Sequence, residues 1–293
     1  MIHTLHNDRL RVGIGDHGGT LHEILDLSDG KHILWQGDSA SWTGRDVVIF
    51  PFVGRMHDGW YTHDGVRYEM PIHGVCTDAQ FEVVQTSDTR CVLRLHSDDK
   101  TRAVYPFDWE LTVTRSLQGN TLSTCMQVTN CGEQQMYYGM GAHPAFALPA
   151  TESAEGTDTS GNYLEWEGEC PDRYYPLQDG KFLLPDAPFT PCDRLELNKP
   201  LMQKYATLLW TGKHLPRRYT LVRADGKRVA METDPAAILG LWSHPERGAY
   251  MCIEPWLSSP DFADAPRELK EKPLIRALAP KQTIQYRFDI TVQ

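Results

Sequence analysis

The most constraining feature of this sequence is a strict alternation of apolar and polar residues near its C-terminal end. In the segment TIQYRFDITV, every second residue from Ile284 to Val292 is apolar. This is the period that places successive side chains on opposite faces of a β-strand. The same alternation occurs at residues 10–14 and 109–113. These segments therefore predict half-buried strands that pack one face against a core.

Asp-Gly dipeptides divide the chain at intervals, and this dipeptide readily supplies the positive φ angles of a tight hairpin turn. They are Asp29-Gly30, Asp58-Gly59, Asp64-Gly65, Asp179-Gly180 and Asp225-Gly226. Helical periodicity is scarce. PRELKEK at residues 266–272 predicts one or two exposed helical turns, and LMQKYATLLW at residues 201–210 is a weaker helix candidate.

The fold class predicted from these patterns is all-β and antiparallel. So many strands must hide their edges, which favours a large two-sheet sandwich or a barrel over an open sheet. We expect residues 1–293 to form a single domain, because all-β architectures of this length often share one core. Residues 150–193 are acidic and turn-rich, and they predict a long surface insertion.

The charge distribution argues against several classes of partner. The formal net charge is −10, and no run of lysines or arginines interrupts it, so nucleic acid and anionic membrane surfaces would be repelled. The N-terminal segment lacks a basic region followed by an apolar block, and no apolar run approaches the roughly 20 residues of a membrane-spanning helix. We therefore expect a cytoplasmic protein.

The sequence contains no familiar motif for a metal or a nucleotide cofactor. Its seven cysteines include no C-x-x-C pair, which predicts buried, reduced thiols with a core role. There is no H-x-x-x-H or H-E-x-x-H spacing, no calcium-binding loop, no G-x-G-x-x-G and no P-loop lysine motif. The expectation is a protein with no metal and no cofactor.

Three polar residues lie where packing alone would not require them. Glu254 follows a short apolar run and precedes Pro255-Trp256, where desolvation would raise its pKa toward that of a general base. His143 and His73 each lie at a turn beside glycine or proline, and an imidazole can exchange a proton near neutral pH. The alternatives are a strand-end glutamate paired with an arginine and two hydrogen-bonded core histidines.

Arg55 and several tryptophans could bind a polyhydroxylated ligand. Arg55 follows the apolar run VVIFPFVG, and its guanidinium offers forked donors to hydroxyl oxygens; the alternative is an ion pair with one of the many carboxylates. Indole faces stack on the C–H side of sugar rings, although most tryptophans belong to a core. The candidates are Trp242 and Trp256, with Trp60 and Trp109 elsewhere in the chain.

Four fragments, taken in order, resemble the aldose 1-epimerases, or mutarotases, and within them the LacX-type branch. They are FPFVGRMHDGWYTHDGVRYEMPIHG, GAHPAF, LGLWSHP and CIEPW. The resemblance implies a single-domain β-supersandwich in which Arg55, His73, His143 and Glu254 meet in one open cleft. Where characterised galactose mutarotases have G-R-x-x-N, this chain has Asp58 at the last position. Their additional sugar-binding aspartate has no clear equivalent at Asp193 or its neighbours.

The reaction implied by the resemblance is the interconversion of the α and β anomers of a free aldose. Glu254 would act as the general base on the C1 hydroxyl, and His143 would act as the general acid on the ring oxygen. His73 would hydrogen-bond the sugar and Arg55 would position it. The implied partner is a small monosaccharide, and the protein would be a monomer or a homodimer.

Three alternative functions remain open from the sequence. A hexose-6-phosphate 1-epimerase would need additional cations, for which Arg67, Arg217 and Arg218 are candidates. A non-catalytic sugar-binding protein would keep the cleft without the reaction. A glycoside hydrolase would need two carboxylates about 5–9 Å apart, and the fragments supply only one carboxylate in a suitable setting, Glu254.

Overall fold

Antiparallel strands make up most of the regular structure in the computed structural model, which describes residues 1–153, 156–213 and 215–293. The strands are, in chain order, β1 Ile2–His6, β2 Leu10–Gly15, β3 Leu21–Asp26, β4 Lys31–His32, β5 Val48–Ile49, β6 Trp60–His63, β7 Val66–Glu69, β8 Glu82–Thr86, β9 Arg90–His96, β10 Trp109–Gln118, β11 Thr121–Asn130, β12 Met136–Tyr138, β13 Gly141–Ala142, β14 Ala145–Ala147, β15 Thr151–Ser153, β16 Gly156–Asp158, β17 Tyr163–Trp166, β18 Arg173–Tyr174, β19 Leu177–Gln178, β20 Phe182–Leu183, β21 Ala187–Pro188, β22 Leu195–Glu196, β23 Thr207–Thr211, β24 Arg218–Val222, β25 Arg228–Thr233, β26 Ile238–Trp242, β27 Tyr250–Trp256, β28 Arg276–Leu278 and β29 Thr283–Val292. The helical elements are α1 Asp99–Arg102, α2 Lys199–Tyr205 and the 3-10 turns His57–Gly59 and Leu269–Glu271.

Two large sheets dominate the fold. The nine-stranded sheet has the order β22-β17-β24-β25-β29-β11-β10-β9-β8, and the eight-stranded sheet has the order β21-β18-β23-β26-β27-β13-β5, with β14 also paired to β27. A four-stranded sheet, β1-β2-β3-β4, and several two-stranded hairpins complete the structure. The predicted all-β antiparallel sandwich is confirmed.

Two of the three alternating segments form the inner face of the nine-stranded sheet, and the third, residues 10–14, lies in β2 of the four-stranded sheet. In β29, Tyr286, Phe288, Ile290 and Val292 are buried, and β10 buries every second residue from Trp109 to Leu117. The same apolar cluster includes side chains from β26 and β27 of the eight-stranded sheet. The two sheets therefore share one continuous core. That residues 1–293 are a single domain stays a prediction.

Strand β27 differs from the alternating strands because all seven of its residues are buried. It lies between β26 on one side and β13 and β14 on the other, and its side chains are covered on both faces. A strand in this position reads as an unbroken apolar run. A carboxylate on it, Glu254, is therefore far from bulk solvent.

The predicted turns and helices are partly confirmed. Four of the five Asp-Gly dipeptides connect successive strands, whereas Asp58-Gly59 lies in a 3-10 turn. PRELKEK contains only a short 3-10 turn, and its predicted exposure is wrong for Leu269 and Lys272, which are buried. LMQKYATLLW is helical only in its first half and then enters β23.

Two other sequence predictions need correction. Residues 150–193 are not simply a surface insertion, because β17 joins the nine-stranded sheet and β18 joins the eight-stranded sheet; positions 154 and 155 lie outside the described residues. The expected core role of the cysteines fails for Cys131, which is exposed, while Cys76, Cys91 and Cys252 are buried. Within the described ranges, no helix is long and apolar enough to cross a membrane.

Candidate active site

Glu254 projects from the fully buried strand β27 into the end of a cavity. Its register partner on β26 is Gly240, where an added Cβ would approach Glu254 Cβ to 3.3 Å. Glycine therefore leaves room for the carboxylate. Glu254 is 1% exposed, and burial raises its pKa well above the ordinary value, against a smaller opposing effect from the Trp256 indole.

His143 faces Glu254 from the turn between β13 and β14, both of which pair with β27. The distance between His143 Nε2 and Glu254 Oε2 is 3.1 Å. The contact lacks the alignment of a hydrogen bond, and neither Oε2 of Glu254 nor Nδ1 of His143 has a hydrogen-bond partner in the described part of the chain. Burial lowers the pKa of His143 to about 4.

His73 lies beside this pair in a strained turn. Its φ is +62°, and Gly74 follows at φ +86°, where a Cβ would lie only 2.1 Å from the carbonyl oxygen of Phe50. The Gly54 N–H donates to His73 Nδ1 at 3.2 Å, which leaves the proton of the neutral ring on Nε2. The rings of His73 and His143 are perpendicular, with centroids 5.2 Å apart.

The low basicity of His73 follows from its surroundings. Burial, with smaller contributions from the nearby His143 and Arg55, holds the pKa of His73 well below the ordinary value. The ring is therefore neutral at physiological pH. In that state, its Nε2–H group is a hydrogen-bond donor.

Arg55 reaches the same cavity from the segment that follows Gly54. Gly54 has φ +65°, and a Cβ there would approach Pro260 Cγ to 2.6 Å, so the close packing requires glycine. Asp261 holds the segment: its N–H donates to the Arg55 carbonyl oxygen at 3.0 Å, and its Oδ2 accepts from the His57 N–H at 2.9 Å. The Arg55 residue itself is exposed.

The cavity has a volume of about 520 Å³ and is large enough for a monosaccharide. Among the residues proposed from the sequence for binding or catalysis, Arg55, His73, His143, Trp242 and Glu254 line it. Trp256 also lines it, whereas Trp109 is a core residue and Trp60 stacks between Arg67 and Arg267.

Several lining residues were missed in the sequence. Trp42 lies with its ring centroid 5.3 Å from His143 and 5.4 Å from Trp242, in an edge-to-face contact with the latter. Lys181, Thr77 and Asp78 also line the cavity. Trp42 stands in the irregular segment DSASWTG, which has no periodicity to place it. Only the folded chain shows that it contacts the histidine.

The other sequence candidates lie away from the cavity. Asp58 is exposed and pairs with Arg267, and Asp193 is exposed and does not line the cavity. The basic residues considered for a phosphate are engaged elsewhere. Arg67 pairs with Glu69, Arg217 with Asp234, and Arg218 with Glu167 and Glu232.

The fold and the site together define a class: a two-sheet β-sandwich with a buried imidazole–carboxylate pair at the end of a small-molecule cavity. The chain belongs to the aldose 1-epimerase family, since the family profile matches residues 1–291. This confirms the family inferred from the four sequence fragments.

Individual relatives agree with this assignment. Protein LacX, plasmid form, from Lactococcus lactis subsp. lactis is 29% identical over 299 residues, which cover 98% of each chain. A galactose mutarotase related enzyme from Lactobacillus acidophilus superimposes with a TM-score of 0.93 and 29% identity, over 100% of this chain and 97% of that one. A galactose mutarotase-like protein from Lactobacillus casei shares the fold, with a TM-score of 0.90, 23% identity and complete coverage of both chains.

Proposed function

We propose that the protein is an aldose 1-epimerase, an isomerase that interconverts the α and β anomers of a free aldose. The observation that carries this proposal is the 3.1 Å separation of His143 Nε2 and Glu254 Oε2 at the buried end of the cavity. In a cyclic aldose, the C1 hydroxyl and the ring oxygen are bonded to the same carbon. An acid and a base this close can therefore serve both oxygens at once.

Ring opening requires one proton to leave the C1 hydroxyl and one to reach the ring oxygen. Glu254 takes the hydroxyl proton as the C1=O bond forms, and His143 protonates the ring oxygen as the C1–O5 bond breaks. Rotation about C1–C2 then presents the other face of the aldehyde. The reverse transfers close the ring, and both side chains return to their starting protonation states.

The buried environment favours proton transfer to Glu254 and from His143. Burial raises the pKa of Glu254 and lowers that of His143, so a carboxylate here is a strong base and an imidazolium is a strong acid. Moving one proton from Glu254 to His143 gives the charged pair that starts the reaction, and ring opening returns it to a neutral acid and a neutral imidazole, the forms that a low-dielectric site prefers. The step therefore relieves the cost of holding two charges in the cavity.

The remaining lining residues would bind and orient the sugar. His73 offers its Nε2–H to a hydroxyl or to the ring oxygen, and Arg55 offers several donors at the open side. Trp242 and Trp42 form an edge-to-face pair beside His143, which supplies an apolar wall for the C–H face of a pyranose.

A phosphorylated aldose is a second candidate substrate, and one observation favours it. Arg55 and Lys181 both line the cavity, and neither forms an ion pair with a carboxylate in the described part of the chain. Two cations that face a cavity can bind a phosphate monoester. Asp78 lines the same cavity and would oppose such a ligand, so the free aldose ranks first.

Polarimetry of freshly dissolved α-D-glucose and α-D-galactose tests the proposal. The wild-type protein should accelerate the approach to anomeric equilibrium over buffer, and Glu254→Gln should lose most of that acceleration. Glu232→Gln is a matched control, because Glu232 is a surface carboxylate paired with Arg218. A panel with xylose, arabinose and glucose 6-phosphate ranks the substrates.

The outcomes separate the alternatives. A strong preference for glucose 6-phosphate would replace the free aldose by the phosphorylated one. Sugar binding without any acceleration would make the protein a sugar-binding protein and would contradict the roles assigned to Glu254 and His143. Equal loss of activity in Glu232→Gln would show that the effect is not specific to the cavity.

A further inference from the structure

A buried thiol lies beside the acid–base pair and has no role in the proposed reaction. Cys252 is two residues before Glu254 on β27 and is 0% exposed. A spacing of two residues places both side chains on the same face of the strand. A ring nitrogen of His143, the Cys252 sulfur and a Glu254 carboxylate oxygen all lie within 4.8 Å of one another.

Two atoms of this cluster are unsatisfied. Oε2 of Glu254 and Nδ1 of His143 have no hydrogen-bond partner within the described ranges, although both residues are more than nine-tenths buried. Buried polar atoms usually have a partner, so such exceptions call for an explanation. A metal ion bound between Oε2 of Glu254 and Nε2 of His143, the ring nitrogen that lies 3.1 Å from it, would give the carboxylate oxygen a partner.

The donor set matches one kind of ion in particular. Thiolate, imidazole and carboxylate are the three ligand types that Zn²⁺ takes, at bond lengths of about 2.0–2.3 Å in a tetrahedral arrangement. A dication bound by one thiolate and one carboxylate is electrically neutral, which suits a buried site. His143 and Glu254 also line the cavity, so a fourth position would be open to water or to a hydroxyl group.

A second group of possible ligands gives a useful contrast. His63, Asp64 and Glu268 also lie within 4.8 Å of one another. His63 Nδ1 also has no hydrogen-bond partner in the described part of the chain, but the two carboxylates do, because Lys270 donates to Asp64, and Thr62 and the Asp64 N–H donate to Glu268. The cluster of His143, Cys252 and Glu254 is therefore the better zinc ligand set, because it alone of the two has a thiol and, within the described ranges, a buried carboxylate oxygen without a partner.

We propose that Cys252, His143 and Glu254 form a reversible Zn²⁺ site, and that zinc bound there blocks anomer interconversion. Zinc bound to Glu254 takes the lone pair that would accept the hydroxyl proton, and zinc bound to His143 replaces the proton that would reach the ring oxygen, so zinc binding and anomer interconversion exclude each other. Zinc binding stands on the geometry alone, whereas the blocking effect rests on the proposed epimerase function. Cys252 is a zinc ligand only and has no part in proton transfer.

Binding is measured first, without any sugar. The wild-type protein is titrated with Zn²⁺ in equilibrium dialysis and with Co²⁺ in an absorption experiment, since thiolate ligation of Co²⁺ produces a charge-transfer band in the near ultraviolet. We expect one ion per chain and a thiolate band. Cys252→Ala should abolish the band and weaken zinc binding at least about tenfold. Cys76→Ala, at another fully buried cysteine, should change neither.

The inhibition is measured second, by polarimetry with added Zn²⁺ and then with a chelator. Zinc should slow the wild-type enzyme and the chelator should restore its rate, while Cys252→Ala should keep its basal rate and resist inhibition. Cys252→Ser provides a second variant if alanine impairs folding.

Absence of zinc binding, or binding that persists unchanged in both Cys252 variants, would overturn the site. Cys252-dependent binding that leaves an active enzyme uninhibited would overturn the blocking effect. If the metal-free protein has no epimerase activity, the proposed function fails while the zinc site is still judged by the absorption band.

Discussion

Two buried acid–base pairs differ in how completely they are hydrogen-bonded: Asp261–Lys272, which contacts the segment that carries Arg55, and His143–Glu254, which lines the cavity. In the Asp261–Lys272 pair, Lys272 Nζ lies 2.7 and 2.8 Å from the two Asp261 oxygens and also donates to the Pro266 carbonyl oxygen. In the His143–Glu254 pair, one atom of each residue has no hydrogen-bond partner in the described part of the chain. Both pairs are nearly inaccessible to solvent.

Burial has a different role in each of the two pairs. We call Asp261–Lys272 the saturated pair, because both carboxylate oxygens and the ammonium group are hydrogen-bonded. Its network also ties Asp261 to the backbone of Arg55 and His57. We call His143–Glu254 the unsaturated pair, because one atom of each residue has no hydrogen-bond partner in the described part of the chain. Burying such atoms costs free energy of folding, which a purely structural role would not explain. We therefore assign the first pair to holding the cavity wall and the second to proton transfer.

The largest expected effect is on turnover in the unsaturated pair. Glu254→Gln and His143→Asn should each slow anomer interconversion by about a hundredfold to ten-thousandfold, because each removes a general acid or base. The double variant should be no slower than the worse single variant, since the two groups act as a unit. Polarimetry at saturating sugar measures all three rates. Independent, multiplicative losses would contradict the pairing.

The saturated pair should show its effect in stability. Asp261→Asn should lower the free energy of unfolding by about 3–5 kcal/mol, because Lys272 would remain buried without its counter-charge. Replacing both residues, as Asp261→Leu with Lys272→Met, should cost less than the sum of the single changes. Urea unfolding measures these differences. A loss below about 1 kcal/mol for Asp261→Asn would remove the structural role assigned to the pair.

The pH dependence of stability should distinguish the two members of the unsaturated pair. His143 has a pKa of about 4 in the folded protein against an ordinary value of 6.5. Between these two pH values, the unfolded chain therefore binds a proton at this residue that the folded chain does not bind. Stability should therefore fall as the pH drops from 6.5 towards 4, by up to about 3 kcal/mol from this residue. His143→Asn should show a smaller fall in urea unfolding over that window.

The contribution of Glu254 to the pH dependence of stability should have the opposite sign. Its pKa is raised in the folded protein, so its contribution to stability is complete below the ordinary glutamate pKa and decreases as the pH rises above it. Glu254→Gln should therefore gain stability relative to the wild type as the pH rises. Parallel pH profiles for the wild type and Glu254→Gln would contradict the burial of an incompletely hydrogen-bonded carboxyl group at this position.

The smallest effect is expected at Asp58, where the family motif has asparagine. Asp58 is exposed and contacts Arg267 rather than the cavity. Asp58→Asn should change the KM by less than about twofold and the free energy of unfolding by less than about 1 kcal/mol, as for other exposed ion pairs. Steady-state polarimetry and urea unfolding measure both. A large change in KM would place Asp58 at the bound sugar.

Local sequence patterns were sufficient to predict individual strands and turns. Strands β10 and β29 follow from alternation alone, and the apolar run before Glu254 indicates the buried strand β27. The hairpin turn at Asp64-Gly65 follows from the φ angles that this dipeptide adopts. The glycine after His73 and the proline after His143 likewise indicate turns in those two fragments.

The contacts between distant segments could not be predicted in this way. His143 meets Glu254 because β13 and β14 both pair with β27, more than 100 residues later in the chain. Strands β17 and β18 are too short to show a period and depend on their partners in the two large sheets. Lys272 stands in a charged segment that suggests exposure, and only the position of Asp261 explains its burial.

The most direct test of the division of roles is the rate of anomer interconversion at saturating sugar for Glu254→Gln and Asp261→Asn, at a temperature where both variants are folded. Glu254→Gln should lose most of the acceleration, while Asp261→Asn should keep a turnover number within a few fold of the wild type despite its lower stability. Retention of activity by Glu254→Gln, or an equal loss in Asp261→Asn, would contradict the assignment of proton transfer to the unsaturated pair.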